Sequence, residues 1–204
     1  MQTSGGLHSI TFFLLMFALP VQALRVQSRN QATAPENTTF HAGELHPEAP
    51  RETLQLGQLV GIWEARQVKR NRDGTWSNDT TRAEWRWYYI LDGHAIQDDW
   101  IAFTAGSELA PATQAVGTNI RIYNPQEQQW YMAWIDKTSR RLATFTATNE
   151  NGDVVMTGHN AQGRLIRNTF SNLTQQSFDW TQEWTQDEGQ TWFAVARISC
   201  RRKR

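Results

Sequence analysis

Cysteine is nearly absent from this sequence, which contains only Cys200. A single cysteine cannot form an internal disulfide, so a chain of 204 residues must rely on its own hydrophobic core. Net charge is absent too, because 20 Lys and Arg residues balance 20 Asp and Glu residues. We therefore expect no electrostatic capture of nucleic acid.

Recognisable catalytic motifs are also missing. The chain contains no G-x-S-x-G, no H-E-x-x-H, no phosphate-binding glycine loop and no CxxC. Of its histidines, His94 and His159 fall within the region predicted to fold, and no two stand at metal-ligand spacing. We predict no metal and no cofactor, with haem or metal ligation by His94 or His159 as the alternative.

The longest apolar run, Ile10 to Leu19, is too short to span a membrane as a helix. The small-x-small pattern Val21-Gln22-Ala23 follows it, which is typical of a signal-peptide cleavage site. We predict that residues 1–23 are a signal peptide, although no Lys or Arg precedes the run. The mature protein is then exported, periplasmic or secreted, with no transmembrane segment. An uncleaved anchor is the alternative.

Residues 24–53 contain few large apolar side chains and three prolines, and they are predicted to form a disordered or extended linker. Leu54 to Val60 then predicts one short helical turn before the first strand. The folded domain is placed at residues 54–200. The basic residues 201–204 are predicted to be a solvated, frayed tail.

The folded region is predicted to be all-β. Turn signals such as Asp92-Gly93 and Asn151-Gly152 recur about every ten residues, the spacing of antiparallel strands. Ala83 to Leu91 and Ser177 to Trp184 alternate between aromatic and polar residues. Because all connections are short, we predict an up-and-down antiparallel barrel of about 8–10 strands.

The segment Thr185 to Trp192, TQDEGQTW, has two adjacent acids and a glycine. It resembles the Asp-box of sialidases and related β-propellers, which is a hairpin loop outside the catalytic site. Asp187 can accept backbone N–H bonds and Gly189 can adopt positive φ. Two adjacent acids do not supply the six or more oxygens of a calcium site. We interpret the segment as the last hairpin turn.

The order of the motifs resembles the calycin superfamily. Gly61-Ile62-Trp63 is similar to the G-x-W of lipocalins, whose tryptophan closes one end of the barrel beneath a late arginine, here Arg197 or Arg201. The runs Tyr89 to Asp98 and Gly117 to Tyr123, with Thr185 to Trp192, resemble bacterial secreted lipocalin-like domains of unknown function. This resemblance implies a lipocalin-like fold and specifies no activity. The loop Ala105 to Val116 is a candidate cover for the open end.

Tryptophan is the most informative residue type, since ten occur in this chain. Core packing accounts for some of them, and the rest can wall an aromatic cavity for a small lipophilic or amphipathic ligand. A glycan ligand is also possible, because tryptophan stacks on sugar rings. The predicted ligand-binding residues are Trp85, Trp87, Tyr89, Asp98, Trp100, Arg121, Met132, Trp134, Arg167, Trp180 and Trp184.

Asp98 is the best catalytic candidate. Strict alternation places it on the inner face with Ile96 and Trp100, where burial would raise the pKa of its carboxyl group. Such a group can serve as a general acid or base, or it can pair with Arg121 or Arg167. Three hypotheses follow: a non-catalytic ligand-binding barrel, a barrel-fold isomerase, cyclase or hydrolase, and an envelope interaction domain with a packed interior.

Overall fold

The computed structural model describes residues 40–103, 116–160 and 162–204. These residues form one short helix, α1 (Thr53–Gly57), one 3-10 turn (Leu91–Gly93) and ten strands. The strands are β1 Gly61–Lys69, β2 Thr81–Ile90, β3 Ala95–Ala102, β4 Gly117–Asn124, β5 Gln129–Asp136, β6 Leu142–Glu150, β7 Asp153–His159, β8 Leu165–Ser171, β9 Ser177–Trp184 and β10 Phe193–Arg202.

The strands close into one antiparallel barrel in which each strand pairs with its neighbours in sequence and β10 pairs with β1. Closure leaves neither β1 nor β10 with an unpaired edge. The predicted all-β, up-and-down barrel of about 8–10 strands is therefore confirmed. Among the described residues, no helix is long and apolar enough to cross a membrane.

One end of the barrel is closed by a tryptophan and an arginine. The Trp63 indole N–H donates to the carbonyl of Leu59 at 2.6 Å, which fixes the ring beneath the turn after α1. Arg202 covers the ring, with its guanidinium carbon 4.2 Å from the ring centroid. A Cβ atom on Gly61 would lie 2.4 Å from an Arg202 nitrogen, so the glycine provides the space for this side chain.

This closure corrects two predictions. The arginine at the closed end is Arg202, whereas Arg197 lies over Trp76, 4.5 Å from its ring centroid. The predicted basic tail is part of the barrel, because β10 continues to Arg202 and Lys203 pairs with Glu84 at 2.6 Å. Strand alternation explains this, since Arg202 shares the inner face of buried Ile198 and Cys200.

The described part of the predicted linker, residues 40–53, lies against the same end. The Tyr89 amide donates to the carbonyl of Ala42, and the His46 amide donates to the carbonyl of Gly93. The rings of His46 and His94 stack with centroids 4.4 Å apart. Contacts with the barrel thus begin before the boundary predicted at Leu54.

The TQDEGQTW segment forms the hairpin between β9 and β10. Asp187 accepts hydrogen bonds from the Thr191 amide at 2.8 Å and from the Thr191 hydroxyl at 2.6 Å. The Gly189 amide donates to the Thr185 hydroxyl at 2.9 Å, with the glycine at φ +94°. The side chains of this segment therefore bond to one another, as expected of a structural turn.

Candidate functional site

The barrel encloses a cavity of about 910 Å³ that opens opposite the Trp63 end. Its walls are mostly aromatic and aliphatic, and they include five of the predicted tryptophans. These are Trp85, Trp100, Trp134, Trp180 and Trp184. The rim is formed at the ends of strands and in the connections at the open end, and its described residues include Arg70, Asn71, Arg72, Asp136, Ser139, Asn160 and Gln162.

The proposed covering loop, Ala105 to Val116, lies outside the described residues except for Val116. The strand ends that flank it, Ala102 and Gly117, both belong to the open end of the barrel. Gly117 allows a wall tryptophan to lie close to the backbone, because a Cβ atom here would be 2.3 Å from the Trp134 ring.

A buried ion pair between Asp98 and Arg121 lies on the cavity wall. Both side chains are almost fully buried, at 0 % and 1 % exposure. One carboxylate oxygen of Asp98 accepts from Arg121, and the other accepts from the Trp85 indole N–H at 2.5 Å. The Arg121 guanidinium also stacks on Trp87, 4.3 Å from its ring centroid. Both charged groups are therefore held by protein contacts.

Burial raises the pKa of the Asp98 carboxyl group, because a low-dielectric surrounding disfavours its charged form. The positive charge of Arg121 and the hydrogen bonds from Trp85 and Arg121 oppose this rise. The prediction that Asp98 faces inward is confirmed by its position. Two roles were considered for Asp98, proton transfer and ion pairing. The contact observed is the ion pair with Arg121.

The predicted ligand-binding residues divide into three groups. Trp85, Asp98, Trp100, Arg121, Trp134, Trp180 and Trp184 line the cavity. Trp87 and Met132 are buried in the surrounding core, and Tyr89 packs against that core. Arg167 lies apart, because its side chain pairs with Glu183 at 2.7 Å and covers Trp192.

Placing Arg167 in the ligand site is therefore wrong. On β8, Ile166 and Asn168 occupy the inner face, so alternation directs Arg167 outward. The same rule applies to β4, where Ile120 and Ile122 are 44 % and 42 % exposed while Arg121 is buried. The apolar residues of that strand face out because the inner arginine has Asp98 as its partner.

Several polar residues on the inner face were not predicted from the sequence. Asn119 lines the cavity beside Asp98 in the β3–β4 register, and its buried Oδ1 has no hydrogen-bond partner among the described residues. Gln182, also in the wall, donates to Asn168 at 3.1 Å. Alternation with Arg121 in GTNIRIY was the signal for Asn119, and alternation with Trp180 was the signal for Gln182.

The rim carries charge that was also not predicted. Lys69, Arg70 and Arg72 contribute basic side chains, and Asp136 contributes an acidic one. Asp136 accepts from the Ser139 amide at 2.7 Å and from the Ser139 hydroxyl at 2.6 Å. Partial burial favours a higher pKa for Asp136, but these hydrogen bonds outweigh the effect of burial and lower the pKa. The carboxylate therefore stabilises its own turn.

Neither candidate histidine lines the cavity. His94 stacks on His46 near the closed end, and His159 is exposed at the end of β7. Within residues 40–103, 116–160 and 162–204, no group of three or more His, Cys, Asp or Glu is placed to hold a metal ion.

No family model matches this chain. No curated protein matches it either.

Two solved structures share the fold at 10% sequence identity. The S-type phycobiliprotein lyase CPES from Guillardia theta matches with a TM-score of 0.50, covering 76% of this chain and 98% of its own. Rv2717c from M. tuberculosis matches with a TM-score of 0.51, covering 79% of this chain and 100% of its own. This likeness supports a lipocalin-like barrel and concerns the fold alone.

Proposed function

We propose that this protein is an exported lipocalin-like barrel that binds one small, partly apolar molecule in its tryptophan-walled cavity. The observation that carries the proposal is the cavity itself, at about 910 Å³ with five tryptophans in its wall. Small-molecule sites in proteins are typically concave spaces of roughly 300–1,000 Å³ with aromatic walls and a few polar groups. The cavity matches this description in size and in chemistry.

The polar groups of the wall orient the ligand. Asp98 and Arg121 balance each other's charge, so the wall presents no unbalanced charge at this point, and the buried Arg121 Nε has no hydrogen-bond partner among the described residues. Asn119 presents an amide whose Oδ1 lacks a partner among the described residues. A buried polar atom without a partner is costly, and a rotation of the Asn119 side chain that brings this oxygen to a ligand hydroxyl or N–H group in the cavity removes the cost.

An enzyme that uses Asp98 as general acid or base is the less favoured proposal. Both of its oxygens accept hydrogen bonds, from Trp85 and Arg121, so proton transfer requires one of these contacts to open. A phycobiliprotein lyase shares this fold, which is compatible with chemistry on such a barrel. The contacts of Asp98 nevertheless favour binding over turnover.

A matched pair of alanine variants tests binding. Ala143 is 4 % exposed and lines the cavity, whereas Ala133 lies on the adjacent strand β5 with its side chain on the outer face. Ala143→Phe fills part of the cavity, and Ala133→Phe adds the same volume outside it. The probe is N-phenyl-1-naphthylamine, a neutral apolar dye whose emission rises in apolar sites.

We expect saturable dye binding to the natural protein and to Ala133→Phe, with binding lost or weakened at least tenfold in Ala143→Phe. Circular dichroism of both variants checks that the barrel is intact. Equal binding by the two folded variants, or no binding by the natural protein to any of a panel of lipophiles, contradicts the proposal.

A further inference from the structure

The open rim holds basic side chains that the barrel itself does not use. Lys69 is the last residue of β1, on the face shared with buried Trp63 and Ala65. Alternation therefore places this exposed side chain on the inner face at the mouth of the cavity. Its side chain forms no ion pair or hydrogen bond with the described residues.

Arg72 adds a second such charge from the connection that follows β1. It lines the cavity mouth, is exposed, and has no ion-pair or hydrogen-bond partner in the described chain. Arg70, which lies between these two in sequence, stabilises the connection after β1. Its Nε donates to the Gly74 carbonyl at 2.7 Å and its guanidinium lies 5.7 Å from the Trp76 ring centroid.

Among the described residues of the rim, one acid stands against three basic side chains, and it forms no ion pair with them. Asp136 is the acidic residue of the rim, and its oxygens accept hydrogen bonds from Thr138 and Ser139 within its own turn. Asp98, deeper in the wall, is neutralised by Arg121. Among the described residues that line the cavity, the mouth therefore has an excess of positive charge above walls that include five tryptophans.

We propose that the cavity ligand is an amphipathic anion, whose charged group binds Lys69 and Arg72 at the rim while its apolar body lies between the tryptophans. This inference rests on the proposed binding function and adds the chemical class and the orientation of the ligand. The reverse orientation brings the anion next to the Asp98 carboxylate in a low-dielectric wall, where an unpaired charge is costly.

Two dyes with similar aromatic rings distinguish binding of an anionic group at the rim from binding in the cavity alone. 8-Anilinonaphthalene-1-sulfonate carries a sulfonate, and N-phenyl-1-naphthylamine is neutral. The test variants are Lys69→Gln, Arg72→Gln and the double variant. The control is Arg66→Gln, which removes the same charge from an exposed position on the outer face of β1.

We expect the anionic dye to bind about three- to tenfold more weakly to the double variant, since each exposed ion pair contributes modestly. The neutral dye keeps its affinity for all variants, and Arg66→Gln keeps both affinities. Raising ionic strength weakens binding of the anionic dye alone, because salt screens exposed charges.

Unchanged affinity of the anionic dye for the folded double variant overturns the inference and leaves the proposed function intact. Failure of both dyes to bind the natural protein removes the proposed function as well. A third arm uses vesicles of anionic phospholipid. Vesicle binding that persists in Ala143→Phe but is lost in the Lys69 and Arg72 double variant assigns the rim to membrane surfaces and also overturns the inference.

Discussion

Arg202 lies over the Trp63 ring, with its guanidinium carbon 4.2 Å from the ring centroid. The same guanidinium donates to the carbonyls of Val60 and Gln58, each at 2.8 Å. It also donates to the carbonyl of Gln175 in the β8–β9 connection at 2.5 Å. One side chain from the last strand thus joins the turn before the first strand to the connection that precedes the neighbouring strand β9.

Replacing Arg202 with alanine is expected to destabilise the protein by about 2–3 kcal/mol, through loss of charged hydrogen bonds and of the cation–π contact. The corresponding fall in melting temperature is roughly 5–10 °C for a domain of this size. The control is Arg201→Ala, one residue earlier and on the exposed outer face. Thermal unfolding followed by circular dichroism measures both, and equal effects would contradict the assigned role of Arg202.

The position of this arginine illustrates how far alternation can be followed from sequence. The resemblance of Gly61-Ile62-Trp63 to the G-x-W of lipocalins predicted a tryptophan at the closed end. Arg197 and Arg201 were the wrong candidates because both lie one residue out of phase with buried Ile198 and Cys200. A single-residue shift moves a strand side chain to the opposite face of the sheet.

The wall of the cavity was predictable where aromatic and polar residues alternate. Trp85, Trp180 and Trp184 follow this pattern, and each lines the cavity. On β4 the apolar residues do not mark the inner face, because exposed Ile120 flanks buried Arg121. On β4, the partner of Arg121 on the neighbouring strand determines which residues face inward. The pairing register between two strands cannot be read from the sequence of one strand alone.

The Asp98–Arg121 pair provides a second prediction. Removing either partner leaves a buried charge alone, so Asp98→Ala and Arg121→Met should each cost about 3–5 kcal/mol. The double variant removes both charges, so its cost should be well below the sum of the two. Urea unfolding of the four proteins gives the coupling energy directly. Strict additivity would mean that the two side chains do not stabilise each other.

Cys200 supplies a third prediction. Burial, with a smaller contribution from Asp179, raises the pKa of its thiol, so the reactive thiolate is scarce at neutral pH. We expect no reaction with 5,5′-dithiobis(2-nitrobenzoate) in the folded protein and full reaction in urea. Ser199→Cys, exposed on the adjacent position of β10, is the positive control and should react quickly. Rapid labelling of native Cys200 would contradict its buried position.

The β9–β10 hairpin gives a prediction on pH. Hydrogen bonds from Thr191, and then from Thr185, lower the pKa of Asp187 from 3.8 to about 2. A carboxyl group whose pKa is lower in the folded state stabilises that state above its ordinary pKa. This contribution is therefore complete above about pH 4 and lost as the pH falls toward 2.

Asp187→Asn keeps the shape of the side chain without its charge. Urea unfolding from pH 6 to pH 2 should show the natural protein more stable than the variant at pH 6, with the difference shrinking below pH 4. A carbon-13 NMR titration of the Asp187 carboxyl group checks the cause, and a midpoint near 4 would show that the hairpin bonds do not favour the carboxylate.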